Sequence, residues 1–169
     1  MGDYDNDGFP DLAISTSNGI HLLRNDKAMK FVDVTQAAGI ISDRTAGGSV
    51  VGWRSLNFVD YDHDGDLDLL GIREAWSPVM GLEWHLSPLP AEMWRNNGNS
   101  TFTNVTSDLG LWRATATNSI GTDYNNDRAV DVVVTSSEEA PSIFENQREG
   151  EFLVRQPWSS AMPAPTRCV

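Results

Sequence analysis

One cysteine, Cys168, stands in 169 residues, so no internal disulfide forms and a disulfide scaffold is excluded. Positive charge is scarce: 12 Lys and Arg face 24 Asp and Glu, a net charge of −12 at pH 7. Nucleic acid and anionic lipid both need a basic face, and this composition excludes both as partners. Long apolar runs are missing too. None approaches the roughly 18 residues of a membrane span, so no membrane insertion is expected. Met1-Gly2-Asp3 shows neither the basic start nor the apolar stretch of a signal peptide. Helical periodicity is confined to what read as single turns at 35–38 and 107–109. Nucleophile and zinc-protease signatures (G-x-S-x-G, H-E-x-x-H) are absent, and His21, His63 and His85 sit in unrelated contexts, so no enzyme is expected.

What is present folds. Hydrophobic residues make up 40% of the chain, with six Trp and six Phe, enough to bury a core and to rule out a disordered acidic tail. The acid is local: half of the 24 carboxylates fall in three clusters, and the remaining chain is balanced. The clusters read Asp3-Tyr-Asp-Asn-Asp-Gly-Phe-Pro-Asp11, Asp60-Tyr-Asp-His-Asp-Gly-Asp-Leu-Asp68 and Asp123-Tyr-Asn-Asn-Asp-Arg-Ala-Val-Asp131, with starts 57 and 63 residues apart. Two further landmarks keep phase with them. Asn25, Asn96 and Asn146 each precede a Phe by six residues, and the first two Phe open FVDVTQAAGI and FTNVTSDLGL.

Apolar runs at 12–15, 69–72 and 132–135 leave the clusters, and further short runs at 19–23, 92–94 and 142–144 follow turn residues. Four short strands per unit of about 60 residues predict an all-β chain of β-propeller blades, since a blade is a four-stranded sheet repeated radially. The expected division is a partial first repeat at 1–54, a second at 55–116, a partial third at 117–152, and an irregular tail at 153–169. Asp68 to Asn96 spans 28 residues against 14 and 15 in the other units, which places an insertion at 73–90. Its Trp76, Trp84 and His85 either tuck the loop against its own blade or offer a sugar platform.

Alternate carboxylates in a nine-residue loop suit a hard cation. Ca²⁺ takes six to eight oxygen ligands, and Asp at positions 1, 3 and 5 of a tight loop points inward. The expected ligands are Asp3, Asp5, Asp7, the carbonyl of Phe9 and Asp11 in the first loop. In the second they are Asp60, Asp62, Asp64, the carbonyl of Asp66 and Asp68. Gly8 and Gly65 take position 6, where the chain must bend. An EF-hand needs Glu at position 12, and Ile14 and Gly71 stand there instead. A softer metal is disfavoured because the clusters hold no Cys and His63 falls at an outward position. In the third loop Asp123, Asn125, Asp127 and Asp131 keep the oxygens, but Arg128 replaces the bend glycine and adds a positive charge. Both an occupied and an empty third loop fit these letters.

The D-x-D-x-D-G-x-x-D loops, the Arg-Asn landmark and the F-x-D/N-V-T-x-x-x-G phrase resemble FG-GAP/VCBS-type repeats. These occur in integrin α-subunit propellers, in cartilage acidic protein and in bacterial proteins with an ASPIC/UnbV region. The resemblance implies a Ca²⁺-binding β-propeller, extracellular, periplasmic or surface-exposed, used for adhesion or for recognition of a protein or carbohydrate ligand. A carbohydrate-active enzyme or a lectin using the 73–90 insertion is the alternative. A propeller closes with four to eight blades, so the expected partners also include the remaining blades of a longer chain or further copies of this one.

Overall fold

The structure, a computed structural model, describes residues 1–27, 30–42, 45–46, 49–79, 83–89, 91–111, 116–136, 140–148 and 151–158. Among these the chain is all-β, in three antiparallel sheets. The first is β1 (Leu12–Thr16), β2 (Gly19–Asn25) and β3 (Phe31–Asp33), paired in that order. The second contains β4 (Thr45–Ala46), β5 (Ser49–Val59), β6 (Asp68–Val79), β7 (Glu83–Pro88), β8 (Glu92–Asn96) and β9 (Phe102–Asn104). Its order is β4-β5-β6-β8-β9, with β7 paired to the outer half of β6. A four-residue helix, α1 (Thr106–Leu109), follows. The third sheet runs β10 (Ala116–Thr122), β11 (Asp131–Ser136), β12 (Ser142–Glu145) and β13 (Leu153–Arg155) in sequence order. The blade-like, all-β architecture expected from the repeat is the one adopted, with no closed barrel among the described residues. Leu153–Arg155, expected to open an irregular tail, forms β13 because it extends the sheet from Glu145 onward, with Glu145 opposite Leu153.

The second acidic cluster is the loop from β5 to β6, the third is the loop from β10 to β11, and the first leads into β1. Val59 pairs with Asp68 and Thr122 with Asp131 across the second and third loops. The first loop is closed by the same pairing in miniature, a bridge between Gly2 and Asp11. The 73–90 insertion lengthens β6 and adds β7 as a hairpin, with Pro78 opposite Trp84 and Ser77 opposite His85. The side chains of Trp76, Trp84 and His85 lie outside the described residues.

Period-two alternation sends neighbouring residues of one strand to opposite sheet faces. Met93 faces the third sheet and packs with Val132 and Phe144, while Trp94 faces the first and packs with Leu22 and Tyr4. The result is two equivalent cores, one in each gap between sheets. Polar contacts reinforce the second gap, where Asn57 on β5 donates to the Ser119 carbonyl and hydroxyl on β10, both at 2.9 Å. A Cβ on Gly121 would fall 2.6 Å from Val59, so glycine permits this close approach of β10 to β5.

The V-T phrase gains a physical reading. Asp33 and Asn104 accept the backbone N–H of Thr35 and Thr106 two residues on, and each Thr hydroxyl oxygen accepts an N–H from the neighbouring strand, Leu22 or Met93.

Candidate metal centres

In all three loops the ninth residue is the anchor. Asp11, Asp68 and Asp131 are fully buried, and each spends its two oxygens alike. One oxygen accepts the N–H of the landmark Asn (Asn25, Asn96, Asn146) at 2.8, 2.8 and 2.7 Å. The other accepts the N–H of the loop's second residue (Tyr4, Tyr61, Tyr124) at 3.1, 3.0 and 3.2 Å. A carboxylate offers about four lone-pair positions, so both bonds leave capacity for a cation. Burial raises the pKa of all three. Asp68 is pushed up to about 7, although its two backbone donors pull the other way.

The bends are fixed by backbone conformation. Position 4 is left-handed in every loop, with φ of 56° at Asn6, 62° at His63 and 61° at Asn126. Position 6 is left-handed as well, at 88° for Gly8, 91° for Gly65 and 71° for Arg128. Nothing lies within 4 Å of a Cβ built on Gly8 or Gly65, so conformation rather than space calls for glycine there. Arg128 takes the same turn with a side chain that disfavours it.

Ligand-capable oxygens converge at three points. Asp3, Asp5 and Asp11 bring theirs within 4.8 Å of one another, as do Asp60, Asp62 and Asp68, and Asp123, Asp127 and Asp131. Like charges at that separation repel by on the order of 3 kcal/mol per pair at an effective dielectric of about 20. Of the fifth-position residues, Asp127 joins its cluster, whereas Asp7 and Asp64 stand outside theirs. Asp7 is 3.3 Å from Lys27 Nζ and accepts the Phe9 N–H, and Asp64 accepts the Asp66 N–H. Asn125 donates to Asp127 at 2.9 Å. Asp66, expected to contribute its carbonyl, uses its carboxylate to accept Asn6 Nδ2 at 2.7 Å and so ties the first loop to the second.

Asp5 Oδ1 and Asp60 Oδ1 are buried without any hydrogen-bond partner. A carboxylate oxygen only accepts, so these orphaned atoms fit a cation, and an all-oxygen set fits a hard one. Among the described residues the third loop shows no such orphan, and Arg148 donates to the Asp127 carbonyl beside it. The first two loops therefore match a metal better than the third.

The sequence reading did not single out the position-2 tyrosines. The signal was the Asp-Tyr pair that opens every loop. Tyr4 is 2% exposed, its ring against Phe102 of the next sheet, and burial, then the charges of Asp5 and Asp11, push its hydroxyl up to about 12.

No curated protein matches the chain. Residues 3–71 match the family model of the FG-GAP-like repeat, a span that includes the first two acidic loops and the strands between them. Over those residues the chain carries an FG-GAP-like repeat.

Proposed function

We propose that the chain is a calcium-stabilised, non-enzymatic recognition module of extracellular or cell-surface character. The observation that carries this reading is the convergence of three carboxylates at each loop, with a buried, unpartnered oxygen in the first two. Asp3, Asp5 and Asp11 would hold one ion and Asp60, Asp62 and Asp68 another, with the Phe9 and Asp66 carbonyls and Asp7 and Asp64 available to complete the shells. Asp123, Asn125, Asp127 and Asp131 would form a weaker third site. Bound calcium supplies positive charge that offsets the carboxylate repulsion and ties each loop to its flanking strands. The chain's own residues preset the rest: Asp11 and Asp68 hold the loop ends together, and the left-handed turns at positions 4 and 6 fold the acids inward. Extracellular calcium modules work with dissociation constants of about 10⁻⁴–10⁻³ M, which suits a compartment rich in the ion. The ligand class is protein or carbohydrate, presented to the rigid sheets and their loops.

Calorimetric titration of metal-free protein with Ca²⁺ tests the assignment. Two sites are expected for the wild type, and Asp5→Asn or Asp62→Asn should each remove one or weaken it about tenfold. Heat changes no larger than those given by Mg²⁺, or variants that titrate like the wild type, would contradict the reading.

A further inference from the structure

Two contacts tie the first acidic loop to the second repeat. One is a joint between sheets, in which Asn96 Nδ2 donates to the Tyr4 carbonyl at 2.7 Å. That joint recurs in the next gap, where Asn146 Nδ2 donates to the Tyr61 carbonyl at 2.6 Å. The other contact belongs to the first gap alone. Asn6, at position 4 of the first loop, donates through Nδ2 to Asp66 Oδ1 at 2.7 Å, and Asp66 is position 7 of the second loop. The corresponding pair across the second gap is His63 and Ala129, and the alanine methyl accepts no hydrogen bond.

Both ends of this bridge are built into the loops. Asn6 stands between Asp5 and Asp7 in a left-handed turn with a φ of 56°, so the two acids and the amide share one short stretch of backbone. Asp66 is partly buried, and its N–H donates to Asp64 Oδ1 at 2.9 Å. Its other carboxylate oxygen lies 2.8 Å from where a Cβ on Gly98 would fall, so glycine at 98 leaves the room that the acid occupies. An amide that donates to a carboxylate makes one of the stronger hydrogen bonds.

We propose that the Asn6–Asp66 bridge couples the first two metal sites, so that occupancy of either loop strengthens binding at the other. The inference rests on the reading of the loops as calcium sites. Asp66 then serves both loops: its carboxylate holds Asn6, and its backbone carbonyl is the position-7 oxygen of the second. When Asp5 is held by an ion, the neighbouring peptide and the Asn6 amide are ordered with it. The ordered amide fixes Asp66, so the second loop has less freedom left to lose when it binds in turn. Linkage makes the effect reciprocal, with one coupling factor for both loops. Charge acts in the opposite direction, because an ion in one loop weakens the field that attracts the next. Salt screens that long-range effect over about 8 Å at physiological ionic strength, whereas the bridge acts by direct contact.

Calorimetric titration of the whole metal-free chain with Ca²⁺, at physiological ionic strength, tests this as a double-mutant cycle read at the second loop. Asp5→Asn disables the first site and should weaken the second loop about threefold to tenfold, although Asp5 is none of its ligands. Asn6→Gly removes the amide and keeps the left-handed turn, and it should weaken the second loop by the same factor. Combining the two should weaken it no further than either alone. Asp66→Ala should also abolish the coupling, whereas Asp66→Asn keeps an oxygen acceptor without the charge and should retain it. Asn6 is exposed and Asp66 partly so, and circular dichroism with a wild-type thermal transition confirms that the variants fold. A second loop that Asp5→Asn leaves unchanged or tightens, or losses that add in the double variant, overturns the coupling and leaves the calcium reading standing. A wild type that takes up no calcium overturns both.

Discussion

A single carboxylate at position 9 shows how one residue type meets two demands. Asp68 is fully buried and accepts two backbone N–H bonds, yet burial still raises its pKa to about 7 from the ordinary 3.8. A carboxyl group whose folded value lies above its unfolded one binds more protons in the folded state between the two. Its contribution to stability is therefore complete below pH 4 and is lost as the pH rises through about 7. The metal-free chain should become less stable from pH 5 to pH 7.5, and the Asp68→Asn variant should flatten that slope in thermal melts. At position 6 of the third loop the relevant cost is conformational. Arg128 holds a φ of 71°, which disfavours any side chain with a Cβ by roughly 1 kcal/mol. Arg128→Gly should raise stability by about that amount and strengthen calcium binding at the third loop; unchanged calorimetric titration would contradict the second part.

At the scale of elements, the landmark asparagine is the fastener between strand, loop and neighbouring sheet. Asn96 is 1% exposed; its N–H goes to Asp68, its Oδ1 accepts the Gly98 N–H, and its Nδ2 reaches two carbonyls. Truncation removes a donor from the buried Tyr4 carbonyl and from the part-buried Leu67 carbonyl and empties a buried site, so Asn96→Ala should cost about 2–4 kcal/mol in denaturant unfolding. Its exposed neighbour Asn97 donates to Thr101 and accepts the Thr103 hydroxyl, both at exposed positions, and Asn97→Ala should cost less than about 1 kcal/mol. The strands were legible from the sequence because apolar runs follow each acidic loop, and the loops because their acids alternate. Asn25, Asn96 and Asn146 were legible as landmarks but not as fasteners: the inter-sheet partners of Asn96 and Asn146, Tyr4 and Tyr61, lie in the preceding repeat, 92 and 85 residues away along the chain. The tyrosines escaped notice for the same reason, since spacing within one repeat cannot show a contact between two. The position-4 turns, filled by Asn6, His63 and Asn126, are also invisible in composition, because residues so unlike share only a backbone angle.

For the whole molecule, the net charge of −12 is held chiefly by loops that sit where sheet meets sheet. Asp66 accepts from Asn6 across the first gap, so neutralising one loop also bears on its neighbour. The scaffold beneath is apolar and periodic, with two equivalent cores and one repeated joint, while the repulsion that opposes folding is concentrated in its carboxylates. Stability should accordingly depend on calcium and pH together. Near pH 7.5 the carboxylates are ionised and repel; near pH 5 protons occupy the highest-pKa members and compete with metal. Thermal unfolding at pH 7.5, with EDTA and then with millimolar Ca²⁺, measures this most directly. At concentrations several-fold to fifty-fold above the dissociation constant, each occupied site adds roughly 1–2 kcal/mol. Two sites should then raise the midpoint by about 5–15 °C, a rise that shrinks at pH 5. A midpoint that EDTA and Ca²⁺ leave in the same place at pH 7.5 would contradict the account.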